Sequence, residues 1–301
     1  MIIVRLMGGV GNQMFQYAAA LALAERHAAV LKLYHSFLGG KQHGCTRREY
    51  ALDRVAVSAE PATAEEIARF SGKGSGILNR IGTLLRSRLG STSVCREHER
   101  CDILQAPDNV LLEGYWQSER YFHGVEERLR KEFTYKHPFS PAHAELAGRL
   151  AVINSVAVHV RRGDYLHSPV HALCDIGYYQ RSLQLIEQRV PDAVPVFFSD
   201  DPVWTRQMFG SLKNALFVES GEADDACADL ALMSPVAVML LLPTALSVGG
   251  GPGLTAIRTR WCVLLRAGSP VTTETHRILC RTDGCVCERG GCRNRKVRWS
   301  V

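Results

Sequence analysis

No apolar run in the 301-residue chain reaches the roughly 18 to 20 residues that a membrane-spanning helix requires. The longest, Val236 to Val248, is 13 residues and is interrupted by Pro243. A secretory signal is not expected either, because glycines begin at Gly8, where its apolar region would still be running. Cytoplasmic residence is therefore the expectation. C-x₂-C knuckles are missing as well. Five of the ten cysteines (Cys45, Cys95, Cys101, Cys174 and Cys227) are dispersed, as in proteins of a reducing compartment. The other five (Cys262, Cys280, Cys285, Cys287 and Cys292) crowd the last 40 residues, where Cys285-x-Cys287 and His276 offer poor geometry for zinc. No Gly-Lys-Ser/Thr follows the first glycines, which excludes a P-loop.

Residues 1–257 also lack a charge excess. The chain carries a net +6, but from Arg258 onward ten Lys and Arg face three Asp and Glu, an excess of +7, which leaves −1 for the rest. The basic character is local to the tail, and no nucleic-acid partner is expected.

What is present is an alternation of strands and helices. Ile2 to Leu6 reads as a buried strand ended by glycines, and Gln13 to Arg26 as a helix with Met14, Tyr17, Ala18, Leu21 and Ala24 at helical spacing. A second strand is predicted over Ala29 to Tyr34. Residues 58–107 read as a variable insertion of helices and loops, with a helix over Ala62 to Phe70. Asn109 to Gly114 is a predicted strand, followed by a helix from Gln117 through Lys131. Ser140-Pro141 opens a helix to Leu150. Strands over Ser155 to Val160, Val194 to Ser199 and Ala215 to Val218 alternate with helices over Ile176 to Arg189 and Ala226 to Met233. This order predicts an α/β fold with a parallel sheet and chemistry at the carboxyl ends of the strands.

Three constellations could carry that chemistry. Gly8-Gly9-Val10-Gly11-Asn12-Gln13 joins the first strand to its helix, where free N–H groups and the positive dipole end suit a phosphate. Met14 stands where the dinucleotide fingerprint needs its third glycine, and Leu33-Tyr34-His35 offers no acidic residue at the second strand's end. Both count against a dinucleotide-dependent oxidoreductase. A plain strand-to-helix turn remains the alternative.

His159-Val160-Arg161-Arg162-Gly163-Asp164-Tyr165 ends another strand, with His159 and Arg161 on one side and Arg162 on the other. An arginine fork there suits a diphosphate. Asp164 is placed to orient it, contact a sugar or act as a base, and an arginine–aspartate surface pair is the competing reading. Phe197-Phe198-Ser199-Asp200-Asp201 ends the next strand. Its carboxylates suit a metal, a base or a ribose, or the capping of the helix that carries Trp204.

These stretches occur in one order: residues 7–18 (Met-Gly-Gly-Val-Gly-Asn-Gln-Met-Phe-Gln-Tyr-Ala), 113–122 (Glu-Gly-Tyr-Trp-Gln-Ser-Glu-Arg-Tyr-Phe), 159–165, Tyr178-Tyr179 and 197–201. Together they resemble the bacterial α-1,2-fucosyltransferases over residues 1–234. The resemblance implies a Rossmann-like, two-domain (GT-B-like) glycosyltransferase fold, with an N-terminal α/β domain over 1–140 and a nucleotide-sugar-binding α/β domain over 141–234. It implies transfer of L-fucose from GDP-fucose to the 2-hydroxyl of a galactoside, with inversion, no cofactor and no essential metal. The partners implied are GDP-fucose and a galactose-terminated glycan, at a cytoplasmic site compatible with peripheral contact at the inner membrane. Mapped onto this chain, Arg161 would bind the donor's β-phosphate, with His159 in support. Gly9, Gly11 and Asn12 would lie against the diphosphate or fucose, and Asp200 or Asp201 would face the guanosine. Arg161 and Asp164 are the catalytic candidates, Asp164 as base.

Beyond Ser234 the resemblance stops. The family pattern expects Cys-Arg-His and then an Asn-Ser-x-Phe-Ser turn that completes the phosphate site, whereas Pro235 to Pro252 reads differently. Codons built from the third base of one residue and the first two of the next restore the pattern. From Val236 to about Cys262 they permit C-R-H-A-V-I-A-N-S-A-F-S-W-W-G-A and ten further residues. A one-base insertion or deletion near Ser234 is therefore expected, with 235–301 an out-of-frame, irregular tail and an inactive nucleotide-sugar-binding remnant as the alternative function.

Overall fold

The computed structural model describes residues 1–36, 38, 48–71, 93–99, 101–163, 176–188, 192–219 and 226–233, together with the backbone of three short strands beyond them. The chain divides into two compact units, Met1–His137 and Pro138–Val301.

In the first unit the strands are β1 (Ile2–Arg5), β2 (Leu31–Tyr34), β3 (Glu60–Pro61), β4 (Ser93–Arg96) and β5 (Val110–Glu113). They form one all-parallel sheet in the order β3-β2-β1-β5-β4, with Ile2 opposite Leu31 on one side and Val110 on the other. Side chains alternate across the sheet. Ile2, Val4, Leu31, Leu33, Val110 and Leu112 face the core shared with the alanine-rich helix α1 (Val10–Arg26). Ile3 and Leu111 face the other way, onto Phe70 of α2 (Ala64–Ser71). The continuous apolar runs of β1 and β5 thus reflect a sheet covered on both faces.

Two sequence expectations change here. The insertion over 58–107 contains a core strand, β4, whose pairing with β5 supplies order that four residues could not announce by themselves. The helix expected from Gln117 onward is confined to α3 (Glu126–Glu132). Trp116 takes a left-handed φ of 50° and Gly124 a φ of 94°, so the chain cannot helix continuously between them. Only a 3₁₀ turn over Glu119–Tyr121 forms there.

The second unit holds β6 (Ser155–Val160), β7 (Val194–Ser199), β8 (Leu216–Phe217) and β9 (Val238–Leu240), again all parallel, in the order β8-β7-β6-β9. Ala157, Val196 and Phe198 pack toward α4 (Pro141–Leu150) and α7 (Ala226–Met233). Val156, Val158, Val160 and Phe197 pack toward α5 (Ile176–Glu187) and α6 (Pro202–Phe209). Phe197 is stacked between Phe209 and Phe217, at centroid distances of 4.7 and 5.1 Å. Ser140 caps α4 by accepting from the His143 amide at 3.2 Å, and Pro141 follows at the first helical position.

Strand β9 lies within the stretch that did not read as a site strand, yet its backbone pairs with β6 from Val156 to Val158. An antiparallel pair, β10 (Thr244–Ala245) and β11 (Arg258–Thr259), comes after it. The rest of 234–301, with its five crowded cysteines, lies outside the described residues. Cys95 and Cys101, read from the sequence as dispersed cysteines of a reducing compartment, are instead joined by a disulfide with a Cα separation of 5.4 Å. Among the described residues no helix is long and apolar enough to cross a membrane.

Candidate active site

In the first unit, strand order reverses between β1 and β5, and in the second between β6 and β9. Ligands of open parallel sheets bind at the carboxyl ends of the strands flanking such a reversal. The candidate residues after β1 and after β6 stand at these two places.

Beyond β1 the chain turns through Met7, Gly8 and Gly9 into α1. Gly8 has φ +75°, and a Cβ there would run into Asn12 Nδ2, so both conformation and close approach require glycine. At Gly9 and Gly11 a Cβ would meet nothing within 4 Å, so the backbone is open to an approaching group. Gly9 is the helix N-cap and has no side chain to cap with, which leaves the first-turn N–H groups of α1 available to an anion.

Two glutamines fix the turn, a role that the motifs above do not include. Both are fully buried. Gln13 donates from Nε2 to the Gly8 and Glu49 carbonyls at 3.0 and 2.8 Å and accepts from the Ala51 amide at 3.0 Å. Gln16 accepts from the Met7 amide at 2.8 Å. The available signal was two amides at buried positions of an otherwise apolar helix.

The Asn12 side chain accepts a hydrogen bond from Gln117 Nε2, which lies beyond β5 on the other side of the reversal. The Gln117 segment is itself held by Glu97, whose Oε2 accepts from the Tyr115 and Trp116 amides at 2.6 and 3.2 Å.

In the second unit His159 is the penultimate residue of β6, and Arg161 and Arg162 emerge from the strand's end. Arg161 pairs with Asp200 at 3.1 Å. The same carboxylate accepts from the Arg162 and Gly163 amides at 2.8 and 3.1 Å. A Cβ at Gly163 would come within 2.9 Å of Asp200 Oδ2, so glycine permits this approach. Asp200 is thus engaged with the β6 exit.

Asp201 has a different job. Its Oδ1 accepts from the Trp204 amide at 3.1 Å and caps α6, and its Oδ2 pairs with Arg162 Nε at 3.3 Å. The Arg162 guanidinium also lies 4.0 Å from the Trp204 ring centroid, a cation–π contact. Arg161 and Arg162 therefore go to separate aspartates, as their opposite facing along the strand predicts.

Burial, together with the neighbouring Arg161 charge, pushes the His159 imidazole down to about 4, against the opposing pull of Asp200. It is neutral at pH 7. Asp164 lies outside the described residues, and so does the chain immediately after β9. No group of three or more His, Cys, Asp or Glu arranged to hold a metal ion occurs among the described residues.

A cleft of about 510 Å³ opens elsewhere in the first unit, lined by residues that include Tyr17, Glu25, Ala28 to Leu31, Ser58 and Arg128. It adjoins the amino end of β2, away from the glycine turn. Arg128, its cation, is already bonded to Glu25, Glu132 and Ser58.

Two parallel sheets, each covered by helices on both faces and each carrying a polar constellation where its strand order reverses, are of the Rossmann-like α/β class. The profile described as glycosyl transferase family 11 matches residues 95–244. That match spans 150 of the 301 residues and shows the chain to be similar to this family of glycosyltransferases. It is 28% identical over 281 residues to the "Alpha-1,2-colitosyltransferase" of Escherichia coli, covering 86% of this chain and 92% of that protein. It is 27% identical over 248 residues to the "O-antigen biosynthesis glycosyltransferase WbnK" of Escherichia coli, covering 76% and 82%. To the "Galactoside 2-alpha-L-fucosyltransferase SEC1" of Bos taurus it is 34% identical over 136 residues, 42% of this chain and 37% of that one. The family match runs ten residues past Ser234, through β9.

Proposed function

We propose that the protein transfers L-fucose from GDP-fucose to the 2-hydroxyl of a galactoside, with inversion. The observation that carries this reading is Arg161, held at the end of β6 by Asp200 with its side chain 29% exposed. The family match and the names of the relatives support the same chemistry.

In this mechanism the galactose 2-hydroxyl attacks C1 of the β-linked fucose as the C1–O bond to GDP breaks, and the bonding pair leaves with the β-phosphate. The leaving charge is met by Arg161, which Asp200 holds in place before the reaction and which needs no reorganisation. Neutral His159 supports the phosphate as a hydrogen-bonding group. Gly9, Gly11 and Asn12 contact the diphosphate or fucose, and Asp164 takes the proton of the attacking hydroxyl. Asp200 and Asp201 hold the two arginines and lie beside the guanosine. Charge is handled without a metal ion, so a chelator should leave turnover unchanged. The reaction takes place in the cytoplasm, and a glycan built on a lipid carrier would bring the enzyme to the inner membrane.

The test is a GDP-release assay with a lactose-type acceptor. Arg161→Ala should lower turnover by about 10²–10³, and near-normal turnover would overturn the assignment. A second donor is favoured by the 28% identity to a colitosyltransferase. Running GDP-colitose beside GDP-fucose decides which 6-deoxy sugar is moved.

A further inference from the structure

We infer that Gln117 is the positioning residue that sets which end of the Asn12 carboxamide faces a ligand. This rests on the proposed function for the ligand's identity, but the geometry stands within the first unit alone.

An asparagine carboxamide presents either an acceptor or a donor, and its two orientations are almost equal in shape. Asn12 stands in the first turn of α1, where the surroundings are rich in donors. Gln117 Nε2 donates to Asn12 Oδ1 and so occupies the carbonyl end. The NH₂ end then lies over Gly8, where only the absence of a Cβ makes room for it. Among the described residues nothing accepts a hydrogen bond from Asn12 Nδ2. It is left as a donor at Gly8, in the turn that leads into the first turn of α1.

The orientation of Gln117 is set in turn from β4. Glu97 succeeds that strand directly and binds the Tyr115 and Trp116 amides. Trp116 is 1% exposed and its backbone is left-handed, so the next residue is aimed by a buried anchor. Gln117 Oε1 is also buried and has no partner among the described residues. In this arrangement its carboxamide hydrogen-bonds through Nε2. Gln117 acts through Asn12, and the donor it prepares suits an oxygen of the nucleotide sugar.

Gln117→Glu is nearly isosteric but can only accept when ionised. Asn12 must then turn its NH₂ toward the new carboxylate and face its carbonyl outward, against phosphate and hydroxyl oxygens. The first measurement is the side-chain amide spectrum of the ¹⁵N-labelled full chain. Gln117→Glu should shift the Asn12 NH₂ pair as it becomes the bonded donor; an unmoved pair overturns the positioning role, whatever the donor substrate does. The second is GDP-fucose affinity by calorimetry. Gln117→Glu should weaken it about tenfold, the loss of one hydrogen bond, with KM raised more than kcat is lowered. In an Asn12→Ala background the same substitution should add nothing. Losses that multiply would show that Gln117 acts independently and would overturn the inference. If the amide shift is seen but the wild-type chain does not bind GDP-fucose, the Gln117–Asn12 geometry holds and both the donor role and the function proposed above are overturned.

Discussion

Neighbouring side chains of the same type are given different work by what each touches. Arg161 pairs with Asp200, whereas Arg162 is shared between Asp201 and the Trp204 ring. Asp200 accepts from two backbone amides and a guanidinium, while Asp201 caps a helix. His159 sits among them as a neutral group. Because its folded value lies near 4, below the ordinary 6.5, the unfolded chain takes up the proton first as pH falls. The stability it supports is complete above about pH 6.5 and is lost as the pH drops toward 4. Urea midpoints should therefore fall between pH 7 and pH 5, and less so in His159→Gln. An imidazole titrating near 6.5 in the folded protein would contradict the burial described.

At the scale of elements, α1 ties the first unit together through one buried polar knot. Its Tyr17 hydroxyl donates to Glu132 at the end of α3, and Glu132 also accepts from Ser58 and Arg128. Burial alone would raise the Glu132 carboxyl, but the hydrogen bonds from Tyr17, Arg128 and Ser58 hold it below the usual range. Burial and the adjacent carboxylate push the Tyr17 hydroxyl up to about 12. Glu132→Gln keeps the size but replaces one acceptor oxygen by a donor facing other donors. The expected cost is about 1–3 kcal/mol, seen as a lower urea midpoint with an unchanged slope. No change in midpoint would mean that the network is open to water.

For the whole molecule, the testable feature is the reading frame beyond Ser234. Strand β9 occupies the edge of the second sheet beside β6, on the far side of the strand-order reversal from β7. The family pattern expects its Asn-Ser-x-Phe-Ser turn after this strand, and the residues that follow β9 lie outside the described residues. The shifted reading frame restores that turn, so a frame-corrected chain should release GDP at least about tenfold faster than the 301-residue chain. The tenfold margin is the order of one lost hydrogen bond to a phosphate. GDP-fucose binding without transfer by the uncorrected chain is the outcome expected of a remnant. Equal turnover by the two chains would show that the frame reading is wrong and that the tail supplies what the turn would have supplied.

Strand-and-helix order was legible because it is local. Ser155 to Val160 and Val194 to Ser199 are apolar runs ended by polar residues, and Ser140-Pro141 and Asp201-Pro202 are capping signals readable in a few residues. By itself the sequence thus determined an α/β order with parallel strands and the residue types at the ends of β1, β6 and β7, while the division into two domains came from the family resemblance. The tertiary structure alone decided that β4 is a core strand, that Gln117 lies outside any helix and meets Asn12, and which aspartate serves which arginine. Each of these depends on partners 17 to 105 residues away in the chain. A hydrogen bond or ladder closed over such distances exists only after the chain has folded, and no local period or spacing encodes it.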